Sequence, residues 1–93
     1  MSTQNVYVNE LTSMEGKKIE YRITACEKDG CKQYGIQVIT DAKDYHEEET
    51  VDMISPDRDF VEEIITYLYQ NSVDTVHFKD VLDDYILKSE KVD

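Results

Sequence analysis

Two cysteines, Cys26 and Cys31, bracket the stretch CEKDGC, and of all residues in the chain their type and spacing come nearest to redox or metal chemistry. Set face to face, such a pair can cycle between dithiol and disulfide. Closing so short a loop removes little chain entropy, however, and such a bond tends to be strained and easily reduced. A structural zinc site needs four ligands in a tetrahedral array, and here only His46 and His77 are available to join the thiols, one from a loop and the other from the start of the last helix. No second cysteine pair follows at zinc spacing. Two free thiols at a turn is therefore the plainer reading and a regulatory dithiol the functional one.

Carboxylates are the next candidates. Glu47, Glu48 and Glu49 fall in a loop; Asp57, Asp59, Glu62 and Glu63 belong to one helical segment, and Asp80, Asp83 and Asp84 to another. Acid–base work needs a cleft that shifts a carboxyl pKa, whereas these residues fall on the polar faces of amphipathic elements. Nor do they follow the D-x-[DN]-x-[DN]-G spacing of an EF-hand calcium loop. His77 stands just before an apolar helical stripe with no serine or lone thiol placed beside it, which favours a structural role. Of the seven tyrosines, Tyr21, Tyr34 and Tyr85 fit core positions, while Tyr67 and Tyr69 lie beside the main stripe of a helix. Tyrosine exposed among acidic residues suits a protein-contact surface, and we take Tyr67, Tyr69, His77, Asp80, Asp83 and Asp84 as its candidates.

These residues must be held by the elements around them. Ile19, Tyr21, Ile23 and Ala25 alternate with Glu20, Arg22, Thr24 and Cys26, the period-2 pattern of a strand with one core face and one wet face. KQYGIQVIT repeats that pattern with Tyr34, Ile36 and Val38 inward, so the two runs read as a β-hairpin around a four-residue loop in which Gly30 supplies a positive φ. Gly35, inside the second strand, marks a bulge or a close approach. A third strand is expected over 49–54 with Val51 and Met53 inward, after an acidic loop. Val6, Val8 and Leu11 allow an edge strand or a frayed tail over 1–16. In ISPDRDFVEEIITYLYQN, Ser55 is placed to cap a helix, with Pro56 at its first position and Asp57 and Asp59 in its first turn. Phe60, Val61, Ile64, Ile65 and Leu68 form its stripe and Asn71 stops it; Phe78, Val81, Leu82, Tyr85 and Ile86 form the stripe of a second helix.

The expectation is an α+β domain over 17–88: a three-stranded antiparallel meander, four-stranded if 1–16 joins it, followed by two helices packed on one face, with 89–93 a flexible tail. Ninety-three residues provide one core. A net charge of −11, from 21 acidic and 10 basic side chains, argues against direct binding of nucleic acid or anionic membranes and leaves open a basic protein partner. MSTQNVYVNEL lacks a basic n-region and an apolar run, and nowhere is there a stretch of roughly 20 apolar residues, so a cytoplasmic protein is expected.

YGIQV, VDMISPDRDFVEEIITYL and VHFKDVLDDYI together resemble a family of short uncharacterised proteins from Clostridium-like Firmicutes, over residues 19–87. In that family a Tyr-Gly-Ile strand precedes a Ser-capped helix and a closing helix; His77, Asp80, Val81 and Asp84 match its last segment, and Phe78 stands where leucine is expected. The resemblance implies a bacterial cytosolic protein and carries no activity. From the residues, the expected function is a non-enzymatic interaction module without cofactor or metal. The alternatives are a Cys26/Cys31 thiol switch and an inhibitor whose carboxylates mimic nucleic acid.

Overall fold

The computed structural model describes residues 3–12 and 16–90. Its elements run β1 (Thr3–Thr12), β2 (Lys18–Lys28), β3 (Cys31–Asp41), β4 (His46–Ser55), α1 (Arg58–Gln70) and α2 (Thr75–Glu90). The strands form a four-stranded antiparallel meander in the order β1-β2-β3-β4. The N-terminal alternation is thus a strand, and Thr12↔Lys18 through Thr3↔Cys26 set its register on β2. At the other end α2 takes in Ser89 and Glu90, which shortens the expected tail. Residues 1, 2, 13–15 and 91–93 of the expected terminal segments lie outside the described residues.

The β2–β3 hairpin closes through two residues, not four. Asp29 and Gly30 have φ of 53° and 79°, and Lys28 pairs with Cys31. An Asp-Gly pair with both φ positive is the mirror-image turn whose twist matches that of the strands, so pairing runs on to the turn itself.

Helices cover one face only. Ile19, Tyr21 and Ile23 of β2 and Ile36 and Val38 of β3 meet Val61, Ile64, Ile65 and Leu68 of α1 and Phe78 and Leu82 of α2, and all are buried. Each such side chain removed from water contributes about 1.5–3 kcal/mol. Phe60, Val81, Tyr85 and Ile86 are half-buried at the margins of the same core. Polar contacts then fix the helix pair to the sheet at the inter-helix loop. Tyr21 Oη donates to the Val73 carbonyl at 2.8 Å, and Thr40 Oγ1 accepts from the Thr75 N–H and hydroxyl, both at 3.2 Å. Lys17 Nζ donates to Asp74 at 2.8 Å.

Four expectations change. Thr24 and Cys26, assigned to the wet face, are buried, because β2 is an inner strand flanked by β1 and β3 and because Asp52 reaches across Gly35 to accept from Thr24 Oγ1 at 3.2 Å. Glu47, Glu48 and Glu49 lie in β4, which begins at His46, and not in a loop. Met53 points out and is exposed: between Ile36↔Val51 and Tyr34↔Ser55 the pairing slips, and Met53 takes a φ of 57°. Ser55 ends β4; the cap of α1 is Asp57, whose carboxylate accepts from the N–H groups of Asp59 and Phe60. Ser55 Oγ accepts from the Asp57 N–H at 3.0 Å and so shapes the approach to the helix.

Candidate functional site

Residues Tyr67 and Tyr69 leave α1 on opposite flanks, since two residues advance about 200° around a helix. Tyr69 stands edge-on to buried Tyr21, centroids 6.2 Å apart at 83°, over the sheet. Tyr67 turns toward α2 and meets Tyr85 with ring centroids 5.2 Å apart and planes tilted by 53°, and Tyr85 in turn lies 6.2 Å from Phe60. Phe60, Glu63 and Tyr67 share one flank of α1 at i, i+3 and i+7; Asp84, Tyr85 and Lys88 face them from α2.

Between these flanks runs a groove. About 380 Å³ in volume, it is lined by Phe60, Glu63, Tyr67, Asp84, Tyr85, Lys88 and Ser89. A second, more open depression of about 550 Å³ shares Glu63, Tyr67 and Tyr85 and is otherwise lined by Asp59, Glu62, Thr66 and Gln70 of α1. Phe60, Tyr67 and Tyr85 bring three rings to the lining of the groove. Two carboxylates, Glu63 and Asp84, line the groove against one ammonium, that of Lys88, while Asp59 and Glu62 line the adjoining depression. Glu62 is partly neutralised by Arg58 one turn away, at 3.5 Å. Lys88 Nζ lies 3.1 Å from Asp84, and the hydrogen bond to that carboxylate, followed by its charge, holds the Lys88 pKa above its usual value. The Tyr85 hydroxyl is also pushed up, first by burial and then by the charge of Glu63.

The other expected contact residues fall elsewhere. Asp80 and Asp83 are exposed on α2, away from the groove lining, in a stretch that also exposes Val76 and Leu87. His77 is exposed in the first turn of α2, where its N–H donates to Asp74 Oδ1 at 3.2 Å. Of the six candidates, the fold gathers Tyr67 and Asp84 into the groove and leaves Tyr69, His77, Asp80 and Asp83 outside it. Phe60, Glu63, Tyr85 and Lys88 join them. The signal in the sequence is spacing: Phe60 and Tyr67 both stand about 100° from the buried axis of α1, a flank position that a simple division into core and surface overlooks.

The thiols are free, Cys26 buried and Cys31 exposed. The register sets Cys26 opposite Gln33 and Cys31 opposite Lys28, so the two share a face as a diagonal pair and not as direct partners. Diagonal neighbours stand about 7–8 Å apart, beyond the usual Cα separation of a disulfide. His46 is engaged with Glu48 at 2.9 Å and lies 3.7 Å from Asp41; the hydrogen bond to Glu48 is the main cause of its raised pKa. Among the described residues no group of three or more His, Cys, Asp or Glu side chains is arranged to hold a metal ion. Likewise, no described helix is long and apolar enough to cross a membrane.

A meander sheet with a helical hairpin on one face and a ring-lined acidic groove on that hairpin defines a small α+β protein. The chain belongs to a family of unknown function, DUF6514, whose model matches residues 3–88. No curated protein and no solved structure matches it significantly.

Proposed function

We propose that this chain is a non-enzymatic protein-interaction module whose helical hairpin engages a basic protein partner. The observation that carries the reading is the groove between α1 and α2, where apolar ring surface adjoins an excess of carboxylates. Ring faces supply contact area at low entropic cost, and a field of one sign selects partners of the other and speeds their approach. The net charge of −11 acts in the same direction and disfavours a second copy of the chain as the partner. Two free thiols suit the reducing cytoplasm as the place of action.

The test is capture with the tagged full chain at low and physiological salt, followed by titration of the purified captured protein. A saturable complex with a basic protein, weakened as salt rises, is the expected result. Absence of saturable binding at both salt concentrations overturns the reading.

A further inference from the structure

The groove already holds a cation of its own. Lys88 reaches Asp84 at 3.1 Å at the edge of the Tyr67–Tyr85 pair, yet its side chain is 74% exposed, so the ammonium is seated on the groove without being locked into it. Across from it, the carboxylate of Glu63 lines the α1 side of the groove beside Tyr67. A lysine stem laid along the rings, with its head among Glu63 and Asp84, covers apolar surface and meets both negative charge and ring faces.

We propose that the groove binds a lysine or arginine side chain carried on a short apolar segment of the partner, and that Lys88 is the built-in competitor which this side chain displaces from Asp84. The proposal rests on the interaction-module reading and specifies the chemistry of its contact. Charge complementarity selects the occupant: two carboxylates, Glu63 and Asp84, line the groove against one ammonium, and Asp59 and Glu62 lie beside it, so further positive charge is favoured, whereas an acidic segment or a second copy of this chain meets repulsion.

The probe is the capped peptide acetyl-Gly-Leu-Lys-Leu-Gly-amide, with a counterpart carrying norleucine in place of lysine, titrated into the full chain at physiological salt while the tyrosine ring resonances are followed by NMR. The lysine peptide is expected to shift the Tyr67 and Tyr85 rings saturably and to bind about two- to fivefold tighter than the norleucine peptide, the range of an exposed cation–π contact. Lys88→Ala is expected to tighten the lysine peptide by a similar factor and leave the norleucine peptide unchanged. Tyr67→Ala weakens both, and the double variant Asp80→Asn/Asp83→Asn changes neither. Because Lys88 is exposed, its removal does not threaten the fold, and a gain in affinity is a result that a merely structural role cannot give. Equal binding of the two peptides, unchanged or weaker binding by Lys88→Ala, or shifts confined to the Asp80–Asp83 surface overturns the proposal. A captured partner retained by Tyr67→Ala also overturns it while leaving the interaction-module reading standing.

Discussion

Tyr21 and Val73 stand 52 residues apart in the chain, and the hydroxyl of the first donates to the carbonyl of the second at 2.8 Å inside the core. That bond fastens the α1–α2 loop to the middle of the sheet and sets where the helical hairpin, and with it the groove, sits on β2 and β3. Burial is the chief cause of the strongly raised Tyr21 pKa, so the phenol remains a donor throughout the ordinary pH range.

Tyr21→Phe keeps the ring and strands the Val73 carbonyl. The expected loss is about 1–3 kcal/mol of unfolding free energy, the cost of one buried unsatisfied acceptor. Urea denaturation measures it directly; a loss below about 0.5 kcal/mol would mean that the carbonyl finds another donor.

The pair Lys17 and Asp74 makes stability depend on pH at both extremes. Burial opposes ionisation of Asp74, but the hydrogen bonds from Lys17 and from the His77 N–H outweigh it, and the carboxyl pKa falls below its ordinary 3.8. The hydrogen bond to Asp74 raises the Lys17 pKa above 10.5. The carboxylate's contribution is therefore present above the unfolded value and lost as pH falls through the lowered folded one. That of the ammonium is present below 10.5 and lost as pH rises through the raised value. Asp74→Asn is expected to flatten the acid limb of the stability profile and to cost about 0.5–2 kcal/mol at neutral pH, where a helix-cap acceptor and an ion-pair partner are both weakened. Thermal melts of the two proteins from about pH 3 to pH 7 give the comparison.

At Gly35 there is no room for a side chain. A methyl group there would run into the Val51 carbonyl oxygen and stand 2.7 Å from Asp52 Cα and 2.8 Å from Thr24 Oγ1. Two of these atoms are backbone, so β4 would have to move. Gly35→Ala is expected to destabilise by about 1–3 kcal/mol, with loss of the Thr24–Asp52 hydrogen bond. Denaturation together with amide exchange over 50–55 tests both effects, and an unchanged midpoint would show that the bulge yields freely.

Period and punctuation account for what the sequence made legible. The alternation of Ile19, Tyr21 and Ile23, the stripe of Val61, Ile64, Ile65 and Leu68, and the stop at Asn71 each depend on local spacing, and each is found in place. Gly35 is legible in the same way, since a glycine inside a strand pattern points to a close backbone neighbour, here Val51 and Asp52. Pairing across the chain was not legible. Met53 continues the alternation of Val51, and the slipped register opposite Gly35, with Met53 at positive φ, turns it outward. Ser55 and Asp57 are both good caps, and the choice between them depends on where β4 releases the chain. The groove was half legible: Tyr67 and Asp84 could be named as exposed, but their assembly with Phe60 and Tyr85 depends on how two helices lie side by side.

The irregular end of β4 also bears on how the molecule keeps to itself. As an outermost strand, β4 offers a row of unpaired backbone groups to any extended chain in solution, the usual start of edge-to-edge association. Beyond Val51 the slipped pairing and the left-handed Met53 break that row, and before Val51 the run Glu47, Glu48 and Glu49 surrounds it with negative charge. An incoming strand thus finds a template only a few residues long and hostile to its own carboxylates, so the slipped pairing where β4 closes on Gly35 also guards the sheet edge against association.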